Sequence, residues 1–188
     1  MNSFYTEKEL IDLGVIRIGK DCCISRKASF YNPDTIAIGN HVRIDDFCIL
    51  SGSICIDNYV HIAAYSALYG GREGIAIGDY SNISSRVCVY AVSDDYSGES
   101  MTNPMIPNKF KKLIQRRVVI EEHVIIGTGS TVLPGTVLAQ GVAIGAMSLV
   151  KEQTNPWTIY AGIPIKPLKK RARDLLELEK RFEKETHE

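Results

Sequence analysis

Ile120-Glu121-Glu122-His123-Val124-Ile125-Ile126-Gly127-Thr128-Gly129-Ser130-Thr131-Val132-Leu133-Pro134-Gly135-Thr136-Val137-Leu138 carries an aliphatic residue at every sixth position: Ile120, Ile126, Val132 and Leu138. Neither the two-residue period of a half-buried strand nor the 3.6-residue period of a helix gives that spacing. The register continues to Ile144 and Val150. Upstream it returns as Ile77, Ile83 and Val89, as Ile38, Ile44, Leu50, Ile56, Ile62 and Leu68, and as Ile18, Ile24 and Phe30. In a chain that is 45% apolar, eighteen apolar residues in one fixed register have a chance on the order of one in a million, so the period is a structural repeat.

The fourth residue after a repeat position is usually small or β-branched, as in Cys22, Val42, Cys48, Val60, Ser66, Ser81, Ser130 and Ser148, and Gly or Asp often follows the position itself. A unit with one large inward aliphatic, one small inward residue and a turn describes one side of a triangular prism. Three units close an 18-residue coil, and coils stack as parallel strands about 4.8 Å apart. Ile38 to Ile56 and Ile120 to Leu138 each span such a coil. Ile18 to Ile38 is 20 residues, Ile56 to Ile77 is 21 with the extra residues around Gly70-Gly71-Arg72, and Val89 to Ile120 is 31. The last spacing predicts one long loop, about 90–118, of a length that in compact domains is functional or disordered. At the ends, Thr6-Glu7-Lys8-Glu9 is a capping-box pattern closed by Gly14, and Pro167 followed by Leu168 to about Lys184 reads as a charged helix with a narrow Leu175, Leu176, Leu178, Phe182 stripe. The chain divides into an N-terminal helical cap at 1–14, a coil stack at 15–153 and a C-terminal extension with helix at 154–188.

The 188 residues suit one domain, and 22 Lys and Arg against 22 Asp and Glu leave no net charge with which to coat nucleic acid. The five cysteines, Cys22, Cys23, Cys48, Cys55 and Cys88, are odd in number and lack paired CxxC spacing, which argues against a disulfide framework and for reduced thiols in a cytoplasm. Met1-Asn2-Ser3-Phe4-Tyr5 lacks the basic start of a leader, and no apolar run reaches membrane-spanning length, so the expectation is a cytoplasmic chain without membrane insertion.

The repeat resembles the hexapeptide-repeat family over roughly residues 15–151, which implies an all-β, left-handed parallel β-helix. Gly162-Ile163-Pro164-Ile165-Lys166 after Tyr160-Ala161 is similar to the A-G-x-P-A-K segment of that family's sugar and xenobiotic acetyltransferases, with Ile165 in place of alanine. Ile126-Gly127-Thr128-Gly129-Ser130 and Ile144-Gly145-Ala146-Met147-Ser148 are similar to its paired coenzyme A coils, and the long loop sits where those enzymes insert their active-site loop. The resemblance implies acetyl-CoA as acyl donor, no metal, a sugar or nucleotide-sugar acceptor, a role in bacterial surface-polysaccharide assembly, and a homotrimer whose sites lie in grooves between prisms. Thr128 and Ala146 then face the pantetheine arm, and Lys151, one place earlier than the family's basic residue, is the cation for the donor's phosphates, with Lys166 as the alternative.

The family's loop histidine, counted from Val89, is replaced by Asp94. Of the four histidines, His187 lies in the tail, whereas His41 and His123 fall at a turn corner where an exposed polar side chain is common filler. His61 directly precedes the inward Ile62 and projects from a strand toward the groove, with Asn82 in the same place one coil up. A histidine near pKa 6.5 suits proton transfer at neutral pH better than an aspartate near 3.9. His61 is therefore the candidate base, with Asn82 and the loop pair Asp94 and Asp95 around the acceptor. The acidic pair suits a substrate amine, hence an amino sugar still linked to a nucleotide, although a solvated loop explains it equally well. A γ-type carbonic anhydrase needs three histidines at one zinc, and His41, His61 and His123 occupy different coils. A non-catalytic scaffold leaves the long loop and the C-terminal signature without a purpose.

Overall fold

The structure is a computed structural model that describes residues 3–186. Three columns of parallel strands form the sides of a prism. On the first side Cys23–Ile24, Arg43–Ile44, His61–Ile62, Asn82–Ile83, Ile125–Ile126, Ala143–Ile144 and Thr158–Ala161 pair in that order, so each repeat aliphatic stacks on the one a coil below. Ile24, Ile44, Ile62, Ile83 and Ile126 are fully buried while the residue before each faces outward. Ser29–Tyr31, Cys88–Tyr90, Thr131–Val132 and Leu149–Val150 belong to the second side, and Ile36–Ile38, Val118–Ile120 and Val137–Leu138 to the third. The strands Ile49–Ile56 and Ala67–Ile77 run through the corner and serve both sides, with the extra residues at Gly70–Gly74 taken up there as a register shift.

The small inward positions follow from the same geometry, because little space remains where two sides meet. Ser66, Ser81 and Ser130 are buried there, and each hydroxyl donates to a carbonyl of the next coil, Ser84, Glu121 and Gly145 respectively, at 2.9–3.1 Å. That satisfies polar groups whose burial would otherwise destabilise the stack. Among the described residues no buried side-chain nitrogen or oxygen lacks a partner.

Both ends are covered. Helix α1 (Glu7–Asp12) has the expected capping box, and hydrogen bonds from the Thr6 backbone and Arg26 bring the Glu9 carboxyl down to about 2. The other end differs from the sequence expectation. Helix α2 runs from Leu175 to Thr186 rather than from Leu168, because Lys166–Lys170 forms an antiparallel strand on the open edge of Thr158–Ala161. Pro167 fits an edge strand, where its missing N–H leaves no ladder bond broken.

One prism corner carries His41, Tyr59, Tyr80, His123 and Trp157 one above another, each at positive φ. Successive rings from His41 to His123 stack at 4.6–5.2 Å. Helix α2 lies over them, with Phe182 edge-on to Tyr59 and Glu179 3.1 Å from His123 Nε2. His123 is therefore buried, not the exposed corner filler its spacing predicts: the helix that covers it is remote in sequence. Among the described residues no helix is long and apolar enough to cross a membrane, and His187 lies outside them.

Candidate active site

The outward residues of the first side form a polar column, Arg43, His61 and Asn82, in register over three coils. His61 Nδ1 lies 3.0 Å from Asn82 Oδ1, one coil up in the place the repeat gives it. Its other nitrogen, Nε2, lies 2.9 Å from Asp45 Oδ2, and Asp45 Oδ1 accepts from Arg43 Nε at 2.7 Å. Burial raises the Asp45 carboxyl, but hydrogen bonds from His61 and Arg43 outweigh it and hold the group below the ordinary carboxylate range. Asp45 Oδ2 and Asn82 Oδ1 are both acceptors, so in this arrangement both ring nitrogens donate, and Nδ1 offers a lone pair only once it has given up that hydrogen bond. The Asn82 amide covers that nitrogen, so a substrate reaches it only when the amide turns aside.

Asp45 is the residue that sequence reasoning missed. It stands 16 positions before His61 inside Asp45-Asp46, which reads as turn filler. The coil register contains the signal, since a residue two places after Arg43 must lie beside the residue one coil above Arg43. Ser84, two positions on from Asn82, is half-buried, and its hydroxyl has no hydrogen-bond partner among the described residues.

The long loop leaves the stack after Tyr90. Val92–Ser93 pairs antiparallel with Ile114–Gln115 at its base, and a short 3-10 turn at Asn108–Phe110 shapes its return. The acidic pair divides here. Asp95 accepts from Ser97 N and Ser97 Oγ at 2.9 Å and from Ser100 Oγ at 3.0 Å, bonds that keep its carboxyl below the usual range and fold the loop on itself. The half-buried Asp94 carboxylate has no partner among the described residues. No hydrogen bond joins either aspartate to His61 or Asn82.

The donor candidates lie on the C-terminal side of this column. Thr128 and Ala146 occupy one corner on successive coils, and both are exposed. Thr128 Oγ1 donates to Ser85 O at 2.6 Å, which fixes its side chain against the coil below. A Cβ on Gly127 would collide with the Ala146 backbone, so glycine is what lets these coils approach. Lys151 ends the last coil and Lys166 opens the return strand. Both are exposed and have no ion-pair partner among the described residues. Among the described residues no three His, Cys, Asp or Glu side chains gather to hold a metal, and the three described histidines do not converge: His61 is on the face, His41 and His123 in the corner stack.

Parallel coils of six-residue sides, one long excursion and an external polar column define a hexapeptide-repeat protein with its chemistry on the outside. No family model matches the chain. It is 47% identical over 183 residues to a dTDP-4-amino-4,6-dideoxy-D-glucose acyltransferase of Escherichia coli, covering 96% of this chain and 95% of that one. It is 32% identical over 158 residues to the putative lipopolysaccharide biosynthesis O-acetyl transferase WbbJ of Escherichia coli K12, covering 79% and 76%. AntD, an N-acyltransferase from Bacillus cereus solved with dTDP and 3-hydroxybutyryl-CoA, superposes with a TM-score of 0.96 at 52% identity over the whole of both chains. A variant of AntD has been solved with dTDP-4-amino-4,6-dideoxyglucose and coenzyme A; it gives a TM-score of 0.95 at 52% identity over 98% of this chain and all of that one. The chain belongs to the hexapeptide-repeat acyltransferase family and is an acyltransferase, as its repeat and C-terminal signature predict.

Proposed function

We propose that the protein transfers an acetyl group from acetyl-CoA to the amino group of a dTDP-linked 4-amino-4,6-dideoxyhexose. The observation that carries this reading is the 52% identity, over the full length of both chains, to an N-acyltransferase solved with dTDP and an acyl-CoA. The free Asp94 carboxylate on the loop supports an amine acceptor, because an unpaired half-buried carboxylate suits an ammonium group.

In this reading the acceptor amine is held by Asp94 and loses a proton before it attacks. Its nitrogen adds to the thioester carbonyl carbon, the carbon–sulfur bond breaks, and a second N–H proton passes to the departing sulfur, so that coenzyme A leaves as the thiol. His61, oriented by Asp45, takes the amine proton at Nδ1 as Asn82 turns to the sugar, and Asp95 keeps the loop folded around the acceptor. Thr128 and Ala146 flank the pantetheine arm, and Lys151 and Lys166 meet the donor's phosphates. The external site is half of a groove, so the working form is a homotrimer. It acts in the cytoplasm, where coenzyme A thioesters and nucleotide sugars are both made, and its product feeds surface-polysaccharide assembly. Thiol release from acetyl-CoA in the presence of dTDP-4-amino-4,6-dideoxyglucose, followed in a preparation of known oligomeric mass, tests it. Turnover by a trimer is expected; no thiol release with this acceptor would refute the reading.

A further inference from the structure

We infer that Arg43 binds the diphosphate of the nucleotide-linked acceptor and thereby makes the enzyme select nucleotide sugars over free amino sugars; this rests on the function proposed above. The donor candidates Thr128, Ala146, Lys151 and Lys166 all lie on the C-terminal side of the coil that carries Asn82, and the loop with Asp94 leaves from that same coil. With the donor on the C-terminal side, an acceptor whose amine lies between the loop and Asn82 has the N-terminal coils of this face to extend along. The outward column there is His61 and then Arg43. Two coil steps of about 4.8 Å separate Arg43 from Asn82, roughly the length of a hexose with an amine at one end and a phosphate at the other.

The side chain is built for this task. Arg43 is exposed, and Asp45 holds its Nε at 2.7 Å, which fixes the plane of the guanidinium. Its two terminal nitrogens have no hydrogen-bond partner among the described residues, and they form the fork that fits a phosphate in two bonds. The neighbouring cations are committed elsewhere, Arg26 to Glu9 and Lys27 to Asp46. The carboxylate that braces Arg43 also braces His61, so one residue sets the distance between the phosphate end of the acceptor and the candidate base.

Equilibrium binding of dTDP and steady-state kinetics with dTDP-4-amino-4,6-dideoxyglucose test the assignment in wild type, Arg43→Ala and Arg43→Lys, each checked for an unchanged melting temperature. Arg43→Ala is expected to weaken dTDP binding and raise the KM for the nucleotide sugar by about 10- to 100-fold, the loss of a charge-assisted pair, with the KM for acetyl-CoA unmoved. Arg43→Lys, which keeps the charge but loses the fork, should fall between. Wild-type affinity for dTDP in Arg43→Ala, or a rise in the KM for acetyl-CoA instead, overturns the assignment and leaves the reaction standing. A wild type that neither binds dTDP nor acylates the sugar overturns the functional reading itself.

Discussion

The coil stack and the loop at 91–117 are built on opposite terms. In the stack the repeat aliphatics from Ile38 to Val150 are buried, Ile18 and Phe30 at the N-terminal end only partly, and each coil is bonded to the next, with one register shift at Gly70–Gly74, so its geometry is over-determined. The loop holds itself with two antiparallel residues at its base and the bonds gathered by Asp95, while Tyr96 and Met105 stand 91% and 87% exposed. The stack supplies rigid positions at fixed coil spacings, and the loop brings to them the Asp94 charge, which nothing among the described residues neutralises. Substitutions in the two regions should therefore separate stability from turnover.

Neighbours on one strand give the sharpest contrast. His61→Ala should lower kcat by roughly 10²- to 10⁴-fold, as for a lost general base, with little change in thermal unfolding. A near-normal kcat would remove His61 from the chemistry. Ile62→Ala, one residue on, opens a cavity in the core and should cost about 2–5 kcal/mol in urea unfolding; a loss below about 1 kcal/mol would mean the coils can collapse around the gap. In the loop, Asp94→Asn keeps shape and removes charge. It should lower kcat/KM for an amino sugar by about 10- to 100-fold, the value of a charge-assisted bond, without a change in Tm. Asp95→Ala dissolves the bonds that fold the loop and should raise the acceptor KM by about tenfold, less than loss of the direct contact.

The smallest effect concerns acid. The Asp45 carboxyl is depressed in the folded state, so the stabilisation it provides is complete above the ordinary carboxylate range and disappears as pH falls through the depressed value. Urea midpoints measured at pH 7 and near pH 3 should fall more for wild type than for Asp45→Asn. Equal losses would show that the Arg43–Asp45–His61 chain adds nothing to the fold.

What the sequence made legible follows the same division. The repeat period reports a core position every sixth residue, so the stack, the outward direction of His61 and the place of Asn82 one coil above it could all be read in advance. The bracing of His61 by Asp45 could not, because Asp45-Asp46 is ordinary turn composition and only the coil register places it beside a histidine 16 residues away. Asp94 and Asp95 look alike in sequence; what separates them is the pair of serines, Ser97 and Ser100, that the loop folds onto the second. Pro167 and the charged residues after it have a helical composition, yet they form a strand because Thr158–Ala161 leaves an edge to be paired. That choice depends on a neighbour, and local propensity carries no record of it.

The central claim is that the loop's free carboxylate selects an amine on a nucleotide-linked sugar. The most direct measurement compares thiol release from acetyl-CoA with dTDP-4-amino-4,6-dideoxyglucose and with its 4-hydroxy counterpart, in wild type and Asp94→Asn. Strong preference for the amine in wild type, largely lost in Asp94→Asn, is the predicted result. Equal turnover of amine and hydroxyl, or a preference that survives the substitution, would contradict it.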